Sequence, residues 1–278
     1  MNLSNYNTLY FNGCSFTEGG GFEAGKLWIK HAYKQKHNFE YNNEKEVCYP
    51  TIVQNLLPDI KVINAAKSGA GTERVIRKVW EYIFSRRLAD VQKTIFILEL
   101  PGAVTRLDLF SNRHFKHLVG NVEYKDNGKI NDTQVVFDWI YGPPLEEEYR
   151  NKLRRIIKEY SEEFIHPNLQ DKKVAYSLFG LANFMLMNNI EFYFTGDTSY
   201  TEYHLNLQYD YPTFNSEHIL QLNIGGKYYN NIVHMAGEAK TQIGHEVGFD
   251  VTTDGHPGFQ AHKVWGEAIV DFLNNKYI

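Results

Sequence analysis

The segment TIFILEL at 94–100 is the most strand-like stretch of this chain, and Pro101 and Gly102 end it. Near-continuous apolarity over so short a run is typical of a strand that is buried on both faces, as in a parallel sheet. Residues 94–100 are therefore predicted to form a central parallel strand.

Strands and helices alternate on both sides of this segment. Short apolar runs that end at turn residues predict three further strands, at 8–11, 61–66 and 191–197. Helices are predicted over 48–57, from Thr72 to 83 with Thr72 as N-cap, over 174–187 and over 259–274. This alternation favours one open parallel sheet covered on both faces, a three-layer α/β/α fold.

The length suits one large domain, since 278 residues with 43% hydrophobic side chains are enough to bury a full core. The regular pattern loosens at about 103–170, where we expect an insertion made of loops, a hairpin near 125–128 and a charged helix at 145–163. Residues 198–250 are rich in Tyr, Asn, His and Gly, and are expected to form long loops or short elements. No linker or repeat divides the chain, so residues 1–278 are predicted to be a single domain.

Composition excludes several classes of protein. The net charge is -4 and the 29 basic residues are scattered, which argues against a nucleic-acid partner. Two cysteines cannot build a disulfide framework, and the histidines match no metal-ligand spacing. Neither a signal peptide nor a membrane span is indicated, so a soluble chain is expected.

Three turns follow predicted strands, at 12–17, 64–71 and 100–106. Ligands of open α/β sheets collect at the carboxyl ends of the strands, so these turns are the candidate site. Ser15 lies in the first turn, just past a strand end. A serine becomes a nucleophile when an imidazole takes its proton and a carboxylate orients the imidazole. The sequence DGHP at 254–257 supplies both groups, as Asp254 and His256, before the last helix.

The motifs in this order resemble those of the SGNH, or GDSL-like, hydrolase superfamily. GCS at 13–15, followed by Phe16 and Thr17, is similar to its first block, NAAKSG at 64–69 to its second, and Asp254 with His256 to its last. The resemblance implies a flavodoxin-like fold and a serine esterase that needs no cofactor.

The same resemblance implies the role of each residue. Ser15 would be the nucleophile, His256 the general base and Asp254 its orienting carboxylate, while the amides of Ser15 and Gly69 would stabilise the oxyanion.

The sequence also departs from the family pattern. The third block lacks its asparagine, because the corresponding strand end reads LPGAVTR at 100–106, which leaves Thr105 and Arg106 as candidate replacements in the oxyanion hole. Cys14 occupies the position of the first-block aspartate. Asp254 and His256 are one residue closer together than in the family.

Simpler structural interpretations exist for most of these residues. Ser15 could be a serine that caps a turn, and Cys14 a small buried residue rather than a reactive thiol. His262 competes with His256 as the base, although its place inside the last helix favours a packing role. Gly19–Gly21 and the GAG turn at 69–71 lack the rest of a phosphate-loop or dinucleotide motif.

The leading functional hypothesis is an esterase that removes an acyl group, such as acetyl, from a carbohydrate or small molecule through an acyl-enzyme on Ser15. The suggestion of a glycan ester comes from five aromatic residues in the irregular segments, namely Trp139, Tyr141, Tyr200, Tyr203 and Tyr209. An acyltransferase would use the same residues. A catalytically weakened binding or structural module is the alternative from another class. First blocks of the GCS type also resemble phage proteins, so either a cytoplasmic or a virion-associated protein is expected.

Overall fold

The computed structural model describes residues 2–18, 48–67, 70–101, 106–111, 116–124, 130–137, 147–164, 167–196, 216–236 and 257–277. The strands are β1 Thr8–Asn12, β2 Lys61–Asn64, β3 Thr94–Leu100, β4 Arg106–Ser111, β5 Lys116–Tyr124, β6 Ile130–Phe137, β7 Glu191–Gly196, β8 Leu222–Ile224 and β9 Lys227–Tyr229. The helices are α1 Ser15–Glu18, α2 Tyr49–Leu56, α3 Thr72–Phe84, α4 Leu88–Val91, α5 Glu147–Phe164, α6 Pro167–Met187 and α7 Phe259–Lys276.

Four parallel strands form the central sheet in the order β2-β1-β3-β7. The segment TIFILEL is β3, it lies between β1 and β7, and all seven of its residues are buried. The prediction of a central parallel strand is therefore confirmed. The order agrees with the first four strands of the flavodoxin-like arrangement, 2-1-3-4-5.

Helices cover both faces of this sheet. Side chains alternate along each strand, so the apolar strands present apolar side chains to both faces. Ile95 and Ile97 of β3 point to one face, where they pack in a cluster with α2 and α7. Phe96 and Leu98 point to the other face and pack with α3 and α6. Each such side chain contributes about 1.5–3 kcal/mol when it is fully buried. The protein is a three-layer α/β/α structure, as the alternation of strands and helices predicts.

The segment at 103–170 contains more regular structure than its sequence indicated. Strands β4, β5 and β6 form a separate antiparallel sheet in that order. The pairing of β5 with β6 confirms a hairpin around 125–128, although the turn itself lies outside the described residues. The charged helix is α5, at 147–164 instead of 145–163. Loops were expected before the hairpin, and for Arg106–Ser111, which forms β4, that expectation was wrong.

One helix start and one helix cap also differ from prediction. Helix α6 begins at Pro167, seven residues before the predicted 174. The prediction missed the first turns because they are polar and show no apolar period. Proline is favoured at the first position of a helix, which explains the observed start. Thr72 is not the N-cap of α3, which is Gly71. The buried Thr72 hydroxyl instead donates to the Pro101 carbonyl across 3.0 Å and ties α3 to the end of β3.

Part of the segment at 198–250 is regular. Strands β8 and β9 pair as an antiparallel hairpin, and a short helix covers 232–236. The expectation of loops or short elements agrees with this described part, and the rest of the segment lies outside the described residues. Across the described ranges, every helix is too short or too polar to cross a lipid bilayer.

Candidate active site

The strand order defines where a ligand site belongs. From β1 the chain continues to β2 on one side, whereas from β3 it continues to β7 on the other side. The crevice beyond the carboxyl ends of β1 and β3 is therefore the topological switch point, where open α/β sheets bind their ligands. Two groups of residues meet there: the turn at 13–18, which follows β1 and is called the serine turn below, and Glu99 near the end of β3.

Ser15 is the first residue of α1, directly after Gly13 and Cys14. Its side chain is buried, and its hydroxyl lies 3.9 Å from the Cys14 sulfur, toward which it donates. The Glu18 amide donates to the Cys14 carbonyl across 3.0 Å and closes the serine turn. Ser15 thus occupies the predicted position just past the strand end.

Glu99 lies beneath the serine turn. The β1–β3 register pairs Asn12 with Leu98, so Glu99 is level with Gly13. Only 4% of its surface is exposed, although burying a carboxylate costs several kcal/mol unless donors surround it. Its Oε2 accepts from the Cys14 amide at 3.1 Å and from the Thr17 hydroxyl, and its Oε1 accepts from the Cys14 thiol at 3.2 Å.

Tyr49 extends this buried hydrogen-bond network. Its hydroxyl lies 2.7 Å from the Thr17 hydroxyl, whose single proton is already donated to Glu99. Tyr49 is therefore the donor to Thr17. Burial holds the pKa of the Tyr49 phenol well above its ordinary value, and the Glu99 carboxylate raises it further. The phenol stays protonated, as the direction of the network requires.

The turn after β2 holds the other side of the serine turn. The Lys67 amide donates to the Gly13 carbonyl across 3.2 Å, and the Lys67 ammonium pairs with Glu18 at 3.1 Å. The Asn64 side chain donates to the Thr17 carbonyl at 3.1 Å, while its oxygen accepts from the Ala66 amide. Contacts from both neighbouring strands therefore fix the backbone around Ser15.

His262 lies in α7 and is fully buried. Its Nδ1 accepts from the Tyr49 amide at 3.2 Å, and the two rings are stacked with centroids 5.8 Å apart. An accepting Nδ1 fixes one tautomer of a neutral imidazole. These contacts agree with the packing role expected for His262.

Several predicted site residues lie outside the described ranges: Gly69, Thr105, Asp254 and His256. Arg106 is the first residue of β4, where only the backbone is described. The described residues therefore bring none of these groups to Ser15, and their roles remain predictions. The five aromatic residues that suggested a glycan ester, and Gly19–Gly21, also lie outside the described ranges.

The sequence interpretation missed Glu99 and Tyr49 as parts of the site, and it gave no role to Thr17 in the first turn. A signal for Glu99 was present, because it is the only charged residue in the apolar run TIFILEL. Buried acidic residues are rare unless they are paired or hydrogen-bonded, so that position required an explanation. Thr17 and Tyr49 gave no comparable signal, since both residue types are common in turns and cores.

The fold and the site define an α/β protein with a flavodoxin-like strand order and a serine at its switch point. No protein-family model matches the chain, and the search of curated proteins found no match. Among solved structures, the chain is similar to the psychrotrophic esterase EstA from Pseudoalteromonas sp., in a structure inhibited by monoethylphosphonate. The two are 12% identical, the match covers 97% of this chain and 100% of EstA, and the TM-score is 0.42. Since so low a TM-score does not establish a shared fold, the strand order defines the fold class.

Proposed function

We propose that this protein is a serine hydrolase that cleaves an acyl ester in the crevice between β1 and β3, with Ser15 as the nucleophile. The position of Ser15 carries the proposal. Ser15 starts a helical turn directly after β1, beside the switch point. The carboxyl ends of the strands at such a switch point are where an open α/β sheet binds its ligand. The resemblance of the GCS segment to a serine-hydrolase motif supports the same assignment.

The reaction requires a base and an oxyanion site. Ser15 Oγ attacks the ester carbonyl while its proton passes to His256, and Asp254 orients the imidazole. The bond to the alcohol then breaks, and the alcohol leaves with that proton. Water attacks the acyl-enzyme, releases the acid and restores the Ser15 hydroxyl.

Backbone amides at Ser15 and Gly69 would stabilise the negative oxygen of each tetrahedral intermediate. Thr105 or Arg106 would supply the donor that an asparagine provides in the family. An acetyl group on a carbohydrate or small alcohol is the proposed substrate class.

Covalent labelling tests this assignment. We expect a fluorophosphonate probe to modify Ser15, as located by peptide mass analysis, and Ser15→Ala to abolish both the labelling and the hydrolysis of p-nitrophenyl acetate. Ser177→Ala is the matched control, because Ser177 is an exposed helical serine whose hydroxyl donates to the Lys173 carbonyl at 2.9 Å. Equal labelling of the native protein and of Ser15→Ala would refute the assignment.

The same experiment separates the alternative functions. A folded native protein that neither reacts with the probe nor hydrolyses any ester in a p-nitrophenyl panel would favour a binding or structural module, for which a virion component is one candidate. If Ser15 reacts but an added alcohol takes the acyl group in preference to water, the protein is an acyltransferase that uses the same residues.

A further inference from the structure

Glu99 is a buried carboxylate that the proposed reaction does not use. All its hydrogen bonds among the described residues come from the serine turn: from the Cys14 amide, the Cys14 thiol and the Thr17 hydroxyl. We propose that Glu99 is the positioning residue for the nucleophile, since it fixes the serine turn against the end of β3. The inference rests on the proposed function of Ser15.

The contacts restrain the turn on both sides of Ser15. Cys14 precedes Ser15 and binds both carboxylate oxygens, one through its amide and the other through its thiol. Thr17 follows two residues later and binds Oε2. One carboxylate therefore fixes the backbone before Ser15 and a side chain after it. The direction of the Ser15 Cα–Cβ bond follows from these restraints.

No lysine, arginine or histidine among the described residues forms an ion pair with Glu99, which leaves the three donors to stabilise its charge. Hydrogen bonds to a charged acceptor are about twice as strong as neutral ones. The carboxylate and the serine turn consequently depend on each other. The contacts with the serine turn therefore explain why the otherwise apolar strand β3 contains the carboxylate of Glu99.

The network also reaches the helix that follows the proposed base. Thr17 accepts from Tyr49, whose backbone amide donates to His262 in α7. His262 is six residues after His256 in the sequence. Glu99 is thus connected through Thr17 and Tyr49 to the helix that follows the proposed histidine base in the sequence.

The test compares three variants with the native protein. Glu99→Ala removes both acceptor oxygens. Glu99→Gln keeps the shape of the side chain: its amide oxygen can accept from the Cys14 amide and from Thr17, and its amide nitrogen faces the Cys14 sulfur. Thr94→Val is the matched control, because it removes a buried hydroxyl at the opposite end of the same strand. If Glu99→Ala does not fold, Thr17→Val removes one donor with little change in shape.

Two readouts are measured for each variant. The first is the reactivity of Ser15, measured as the rate of fluorophosphonate labelling and as kcat and KM for hydrolysis of p-nitrophenyl acetate. The second is alkylation of Cys14 by iodoacetamide, followed by peptide mass analysis, with the equally buried Cys48 as internal reference.

We expect Glu99→Ala to slow labelling and lower kcat about 100-fold with little change in KM, because a displacement of about 1 Å at a reacting group has an effect of that size. Thr17→Val is expected to slow labelling about tenfold. Cys14 should become reactive to iodoacetamide in Glu99→Ala while Cys48 stays protected. Glu99→Gln should recover labelling to within about tenfold of native, since only the thiol contact changes in character. Thr94→Val should label at the native rate.

The outcomes separate this inference from the proposed function. Native labelling and native Cys14 protection in folded Glu99→Ala would overturn the positioning role while the assignment of Ser15 stands. If the native protein does not label, the proposed function is lost and Cys14 alkylation decides whether Glu99 holds the turn. Equal loss of labelling in Glu99→Ala and Thr94→Val would show a general loss of stability and would also overturn the inference.

Discussion

Replacing His256 by alanine is expected to lower the turnover of p-nitrophenyl acetate by about 10⁴-fold or more, with Ser15 still present. A serine hydroxyl that has lost its base remains protonated and reacts slowly, and loss of a triad histidine typically costs about 10⁴–10⁶ in kcat. Stopped-flow or endpoint release of p-nitrophenol measures the loss, and the rate of fluorophosphonate labelling should fall with it.

Two controls make the His256 result specific. His234→Ala removes an exposed histidine of the short helix at 232–236 and should leave turnover unchanged. Added imidazole should restore part of the activity of His256→Ala, because a free base can enter the space that the side chain leaves. Turnover within about tenfold of native in His256→Ala would remove His256 from the mechanism and would make another residue the base of Ser15.

The parallel sheet could be predicted from sequence because its signals are local. TIFILEL combines an apolar run, a length suited to a strand and a Pro-Gly stop, and each is visible without knowledge of the rest of the chain. The outer elements were harder to predict. Strands β4, β5 and β6 lack such continuous apolar runs, and the polar start of α6 at Pro167 has no apolar period.

The candidate site was only partly predictable for a different reason. Ser15 could be placed because it follows a strand and a glycine in the sequence. The contacts of Glu99 could not be predicted, since Cys14 lies 85 positions from Glu99 in the sequence and only the β1–β3 register brings the two residues together. Thr72 is similar: its hydroxyl is a plausible cap in the sequence, but the fold directs it to Pro101. Partners in tertiary contact override local preference at such positions.

Gly13→Ala is expected to destabilise the protein by about 1–3 kcal/mol and to slow labelling of Ser15 strongly. A Cβ at position 13 would overlap Glu99 Oε2 and the Thr17 hydroxyl, and would lie 2.6 Å from the Glu99 Cβ. Glu99 and Thr17 are buried, and the Thr17 hydroxyl donates to the Glu99 carboxylate, so the two side chains cannot move apart without breaking the network. Overpacking of this kind costs about 1–3 kcal/mol in typical cores. Urea denaturation measures the change in stability, and the fluorophosphonate rate reports the position of Ser15.

Gly180→Ala provides a control in which the expected change in stability has the opposite sign. Gly180 lies in α6, and a Cβ there would meet no atom within 4 Å. Alanine is a better helix former than glycine by about 1 kcal/mol, so Gly180→Ala should stabilise the protein and leave labelling at the native rate. The contrast depends only on what surrounds each glycine. A Gly13→Ala protein with native stability and native labelling would mean that Glu99 and the serine turn are not in close contact, and it would contradict the buried network on which the positioning role depends.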